Sequence, residues 1–372
     1  NLDLFFMIIK KIQPITVKIP FNNKDNKIKF HNSDLNILEV NLIRIETEEG
    51  IVGWGESFSY TSWKSVRIII EDIITPLLIG KKIQETSDIT KLMKELQFKL
   101  HTFGRYGITM FALSGVEIGL WDSLGKEKKL PIYKMLGKIQ KNKFKAYASL
   151  IRYSDKNNIE KYCKDALDHG FEAIKLHEKE CKYIEIARKF LGEKVILMND
   201  ANCSWTFNET IKFKKFFEAN KLFWIEEPIF PPEDFKKLSM LKKHLKTPIA
   251  IGENACTKWE FEKILEQGAA SFIQPSVTKV GGISEFNNII QLSDKYNIPI
   301  MPHSAYFGPG FISTLHLASQ FKQDTYIERF YLDLYEEFYP EFKKTNDGFY
   351  LLPDSPGLGV DFNEDIIKKY KI

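Results

Sequence analysis

Six ionisable residues close short apolar runs at similar intervals in the second part of this 372-residue chain: His177, Asp200, Glu226, Glu253, His303 and Glu328. Asp200, Glu226 and Glu253 are 26 and 27 residues apart. Three carboxylates gathered at one place repel one another and raise each other's pKa unless a cation lies between them. Oxygen-only donors favour magnesium, which keeps open positions for water and substrate oxygens. Zinc is disfavoured, because no Cys or His pair has suitable spacing. Upstream, AIKLH carries Lys175 and His177 two positions apart. On a strand both project from one face while Ile174 and Leu176 take the other. On a helix they would diverge. Taken alone, KxH describes an edge strand wetting its polar face. In the company of the acids it describes two nitrogen bases turned toward a common site.

The elements that must position these residues are visible as a repeat. The runs KAYASLI, FEAIKLH, KVILMND, KLFWIEE, TPIAIGE, ASFIQPS, IPIMPHS and TYIERF follow one another at steps of 23 to 28 residues. Helical patterns such as NIEKYCKDALDHG and KWEFEKILEQG lie between them, several stopped by Gly or Asn. Eight strands alternating with helices predict a parallel β/α barrel, whose C-terminal strand ends form the floor of an active site. An open doubly wound sheet is disfavoured, since no GxGxxG follows a first strand. The first 137 residues are different: strand-like runs come first and helical segments such as MFALSGVEIGLWDSLGKEKK follow, as in an α+β domain. The expected organisation is a capping domain over 1–137, a barrel over 138–335 and a C-terminal segment over 336–372. In that segment DGFYLLPDSPGLGVDF reads as strand and turn that leave the barrel, without a helix of the barrel type.

Composition narrows the function classes. Hydrophobic residues make up 44% and charged residues 27%, with a net charge of +4 and both signs well mixed. That is an ordinary globular balance with no nucleic-acid footprint. Cys163, Cys181, Cys203 and Cys256 have no metal-type spacing and fit free thiols in a reducing cytoplasm. No apolar stretch reaches transmembrane length. The opening NLDLFFMIIKK has neither a basic residue ahead of its apolar run nor a small-residue cleavage site, and does not read as a signal peptide. Met7 reads as a natural start, with residues 1–6 an extension ahead of it. The expected partner is a small-molecule carboxylate, with neither nucleic acid nor membrane, and the expected assembly is a homo-oligomer.

MNDAN, WIEEP, GEN and VGG followed by PHS occur in that order on successive strands, with an early GIVGWGE, the helix SGVEIGLWDSLGK and a closing PGLGVDF. In these motifs nearly the whole chain resembles the mandelate racemase/muconate lactonising enzyme group of the enolase superfamily. The resemblance implies an α/β fold, a modified TIM barrel of the (β/α)7β type. An N-terminal α+β capping domain, completed by the C-terminal tail, would cover it. It further implies magnesium (Mg2+) held by Asp200, Glu226 and Glu253. Members abstract the proton α to a carboxylate and stabilise the resulting enediolate on the metal.

Two departures from that pattern matter. The family's second strand usually ends in KxK with the second lysine as base; here Lys175 keeps the first position and His177 occupies the second. An imidazole needs little tuning to accept a proton at neutral pH, and a neighbouring ammonium and metal keep it neutral. Lys175 is expected to stay cationic and support the substrate carboxylate. In IQPSVTKVGG, Ser276 stands where related enzymes carry either an aspartate partner for the strand-seven histidine or a lysine base. Serine can hydrogen-bond an imidazole but supplies no charge to stabilise imidazolium at His303.

Glu328 matches a carboxylate that hydrogen-bonds substrate, a structural salt bridge being the alternative. Asn202 is expected to orient the metal ligands or the substrate, and Glu227 to lie behind the ligands. The segments FNNKDNKIKFH and SFSYTSWKS are expected to close the barrel mouth, where Asn, Lys, Tyr and Trp suit a polyhydroxylated or second anionic group. Each is equally compatible with a solvated loop. The leading expectation is dehydration of a sugar acid or other hydroxy acid. A racemase or epimerase using both histidines is the rival, and a non-catalytic metal-dependent binding protein is the third reading. Cycloisomerisation is disfavoured by Ser276.

Overall fold

The computed structural model describes residues 6–22, 29–30, 33–34, 36–137, 139–343, 345 and 347–372. Most of the segment FNNKDNKIKFH, and residues 1–5 of the expected extension, lie outside these. Met7–Pro20 pairs antiparallel with Ile37–Thr47, which pairs in turn with Val52–Ser57. The short strand Lys82–Ile83 holds the other edge. The helix Gly107–Lys128 crosses this sheet, and its glycines explain two of the sequence motifs. A Cβ on Gly55 would strike the Gly115 carbonyl, and one on Gly115 would strike the Ser57 side chain. GWGE and SGVEIG thus mark where helix and sheet backbones approach closely.

The barrel strands are Lys143–Ser149, Ala173–Leu176, Ile196–Asp200, Leu222–Glu226, Ile249–Ile251 and Phe272–Ile273, closed on the far side by Tyr326–Phe330 beside Lys143–Ser149. All seven are parallel. The seventh predicted run, IPIMPHS, is a departure: only Ile300 forms a bridge, to Ile273. Pro299 and Pro302 remove two backbone donors there. The last gap in the ring is spanned by the Thr325 hydroxyl donating to the Ile300 carbonyl at 2.8 Å.

Strand periodicity places the site. Tyr147, Ala173, Met198, Trp224, Ala250 and Met301 pack into a separate buried cluster. Two residues further along the first four strands stand Ser149, Lys175, Asp200 and Glu226 on the same inward face. The apolar layer plugs the barrel, and the next layer toward the strands' C-terminal ends is polar.

The tail corrects one expectation. Phe349–Leu351 does not leave the barrel but adds antiparallel to Lys143–Ser149. The chain then returns to the cap: Phe362 stacks on Trp54 with centroids 4.5 Å apart, a short helix spans Asp365–Tyr370, and Lys371 bridges Val17. Among the described residues no helix is long and apolar enough to cross a membrane.

Candidate active site

Asp200 and Glu226 end their strands, and Glu253 follows Ile249–Ile251 by two residues. Gly252 between them has φ +128°, a conformation that strains any side chain. One oxygen from each of Asp200, Glu226 and Glu253 lies within 4.8 Å of the others. Burial, reinforced by Glu226 and Glu253, pushes the Asp200 carboxyl well above the usual range. Burial likewise raises Glu226, although Lys175 opposes it. For Glu253 burial is outweighed by His303, Lys279 and Lys175, and its carboxyl is held below the usual range. Three crowded oxygen donors, of which among the described residues only Glu226 meets a lysine directly, fit a hard divalent ion.

Sequence alone sets Lys175 beside the substrate carboxylate. The structure buries the side chain completely, with Nζ 2.7 Å from Glu226 Oε1 and 2.8 Å from Glu328 Oε1. Burial opposes its charge, but Glu226 and Glu328 outweigh it and hold the ammonium well above its ordinary pKa. Glu328 also accepts from the Ser149 hydroxyl at 2.7 Å and the Ser304 N–H at 3.1 Å. Burial works against its ionisation, yet Lys175 and His303 lower its pKa to about 2. The salt-bridge alternative for Glu328 is therefore present in the structure, on a side chain that also lines the cavity.

His177 lies just past its strand. Its Nδ1 is 2.5 Å from the Leu150 carbonyl, so the N–H belongs on that nitrogen, and Nε2 faces Asp200 Oδ2 at 3.4 Å as an acceptor. Burial, then Lys175, lowers its pKa to about 4. Asn202 donates to both oxygens of Asp200, from N at 2.7 Å and from Nδ2 at 2.6 Å. Arg152, which the sequence gives no reason to single out, links the two by donating to the His177 carbonyl and to Asn202 Oδ1.

Across the cavity, His303 Nε2 lies 3.1 Å from Glu253 Oε2. Its Nδ1 is 3.3 Å from Ser276 Oγ and 3.2 Å from the Tyr306 hydroxyl, and those two hydroxyls touch each other. Tyr306 is a second missed residue, three positions beyond His303 in PHSAYF. Glu227 Oε1 accepts from the Gly252 N–H at 2.9 Å, whereas its buried Oε2 has no hydrogen-bond partner among the described residues. Burial raises this carboxyl to about 8. His177, Asp200, Asn202, Glu253, His303 and Glu328 line one cavity of about 1600 Å³, which the capping segment enters with Phe58 and Tyr60.

Two family models match this chain: residues 22–137 the mandelate racemase/muconate lactonizing enzyme N-terminal domain, and residues 158–366 the enolase C-terminal domain-like fold. The chain belongs to the mandelate racemase/muconate lactonizing enzyme family. Within this family of enzymes it is 33% identical over 347 residues to an arabinonate dehydratase of Saccharolobus solfataricus, covering 90% of this chain and 91% of the relative. It is 26% identical over 359 residues to a D-xylonate dehydratase of Haloferax volcanii, covering 89% and 85%. A crystal structure of an enolase-superfamily member from Polaromonas sp. JS666 superposes with a TM-score of 0.87 at 28% identity, covering 98% of each chain.

Proposed function

We propose that the protein is a magnesium-dependent dehydratase of a sugar acid or related 2,3-dihydroxy acid. The observation that carries this reading is His177 Nε2 standing 3.4 Å from Asp200 Oδ2, one member of a carboxylate triad suited to a divalent ion. Bound by Asp200, Glu226 and Glu253, magnesium supplies positive charge for the substrate carboxylate and for the negative charge that grows when the α-proton leaves.

His177 Nε2 removes the α-proton. The Leu150 carbonyl fixes the tautomer that makes this possible, and burial with Lys175 keeps the ring neutral until it acts. Glu328, held ionised by Lys175, accepts a hydrogen bond from a substrate hydroxyl. His303 gives its proton to the hydroxyl leaving the β-carbon. The α-C–H and β-C–O bonds break, water departs, and the enol left behind tautomerises to a 2-keto-3-deoxy acid.

Racemisation or epimerisation is the second reading, because His177 and His303 each border the triad, at Asp200 and Glu253. The first is favoured by relatives that are named dehydratases. It is favoured also by the neutral hydroxyls of Ser276 and Tyr306 at His303 Nδ1, which offer no charge to support an independent base there. Incubation with magnesium and a set of sugar acids in deuterated water decides. Formation of 2-keto acid supports dehydration; deuterium in recovered substrate without keto acid overturns it in favour of racemisation.

A further inference from the structure

The ring of His303 is anchored on its Nδ1 side by hydroxyls: Ser276 Oγ lies 3.3 Å away and the Tyr306 phenol 3.2 Å away. On the other side Nε2 meets Glu253, one of the three acids suited to a divalent ion, at 3.1 Å. Among the described residues, the hydroxyl side is thus the ring's polar anchorage that is not shared with a candidate metal ligand. Ser276 and Tyr306 also touch each other, so the three groups form a closed triangle. All three residues are buried. Burial pushes the phenol's pKa well above its ordinary value, which keeps Tyr306 neutral and its O–H available. A hydroxyl both donates and accepts, so it can hold Nδ1 whether or not that nitrogen carries a hydrogen. A carboxylate there could only accept.

The phenol is itself held in place. Tyr306 packs edge-on against the imidazole, with centroids 5.7 Å apart and planes at 78°. Its N–H donates to the Ser304 carbonyl at 2.6 Å, and its carbonyl accepts from Arg329 Nη1 at 3.5 Å. A Cβ on Gly310 would come within 2.5 Å of Thr278 Cγ2 and 3.3 Å of Tyr306 Cδ2. The second glycine of FGPG therefore leaves the room that the tyrosine ring needs. A group locked by packing in this way fixes the orientation of whatever it bonds.

We infer that Tyr306 is a positioning residue for His303: with Ser276, its hydroxyl holds the imidazole by Nδ1 so that Nε2 is the nitrogen turned to the substrate. Neutral hydroxyls here take the orienting part of the aspartate that related enzymes carry at position 276. The catalytic consequence rests on the dehydratase reading, in which His303 gives its Nε2 proton to the leaving hydroxyl. The β-C–O electron pair leaves with the oxygen, the proton joins it as water, and the N–H electron pair stays on the ring. Without the phenol's O–H, that side of the ring keeps only the 3.3 Å contact with Ser276. Proton delivery then slows, while α-proton removal at His177 and substrate binding are untouched.

The test uses the magnesium-loaded full chain in three forms: native, Tyr306→Phe, and Tyr306→Phe with Ser276→Asp, whose carboxylate enters the room left by the phenol oxygen. Xylonate, arabinonate and gluconate are the probes, assayed in deuterated water. In Tyr306→Phe, kcat for keto-acid formation should fall about tenfold to a hundredfold with KM little changed, as loss of orientation does. More deuterium should enter recovered substrate with its configuration retained, because His177 still works while departure of the hydroxyl is delayed. The double variant should regain most of kcat, which a role in packing alone would not allow. An unchanged kcat in Tyr306→Phe, or no recovery in the double variant, overturns the inference. A second readout needs no turnover. In NMR of chain carrying isotope-labelled histidine nitrogens, the His303 Nδ1 resonance, assigned by its absence in His303→Asn, should move in Tyr306→Phe while those of His177 stay. If the native chain forms no keto acid from any probe, the dehydratase reading fails and this resonance decides: a moved Nδ1 upholds the positioning role, and an unmoved one overturns it.

Discussion

Lys175 and Glu226 meet at 2.7 Å, Nζ to Oε1, with no solvent-exposed surface on either side chain. The same ammonium holds Glu328 at 2.8 Å, so one buried cation serves two carboxylates from different strands. Removing one partner of a buried ion pair costs about 3–5 kcal/mol, because the others stay buried and uncompensated. Lys175→Met should therefore lose stability of that order in chelator, measured by urea denaturation. Magnesium should restore part of it by placing positive charge near Glu226. A loss under about 1 kcal/mol would show that Lys175 does not neutralise this floor.

Asp200→Asn removes a carboxylate charge from the triad and disturbs the two bonds from Asn202. The native chain should bind one magnesium ion per chain by calorimetry and show a rise in Tm with magnesium concentration, as any ligand that prefers the folded state produces. Both effects should weaken sharply in the variant. Chelation should abolish turnover while far-UV circular dichroism stays unchanged. Undiminished magnesium binding by Asp200→Asn would place the metal elsewhere.

His177→Asn keeps approximate size and a hydrogen-bonding group but removes the base. Loss of a general base costs about 10² to 10⁴ in rate. Keto-acid formation should fall by that factor, and solvent deuterium should no longer enter recovered substrate. If exchange persisted with one stereoisomer only, His303 would be acting as a second base, as in a racemase.

Glu56 supplies a pH dependence of stability. It is a capping-domain carboxylate whose Oε2 accepts from the Gly310 N–H at 2.8 Å, tying the cap to the first turn of the helix Pro309–Ala318. Burial raises its pKa from 4.5 to about 7, against the backbone bonds from Gly310 and Gly308. Between those two values the folded chain holds a proton that the unfolded chain has released. Stability from this group is full below pH 4.5, falls as pH rises, and is gone above about 7. Glu56→Gln should flatten the profile between pH 5 and 8 and gain up to about 3 kcal/mol relative to the native chain at pH 8. Parallel profiles for the two proteins would refute this.

Much of this site is legible in one dimension because a strand's inward face repeats every two residues. Asp200 and Glu226 follow Met198 and Trp224 by two, so the period that seats an apolar plug also seats the acids above it. Regular spacing of the runs then brings such positions from successive strands together, which is why the triad and the barrel can be read from the chain before any coordinates. The seventh strand was less legible: its apolar run suits a strand, but Pro299 and Pro302 withhold donors and reduce the pairing to a bridge at Ile300.

What only the tertiary structure decided concerns which charges find partners. Periodicity puts Lys175 on the inward face, but whether its ammonium meets substrate or lies sealed beneath depends on Glu226 and Glu328 converging from other strands. The chain shows that Ser276 lacks a charge; only the loop after Ile300 brings the Tyr306 hydroxyl to His303 Nδ1 beside it. Lys279 looks like any surface lysine in VTKVGG until Phe58, from the capping domain, closes over it. Side-chain type and strand period are local properties, whereas burial and charge compensation are sums over groups distant in sequence, fixed only when the cap and barrel pack together.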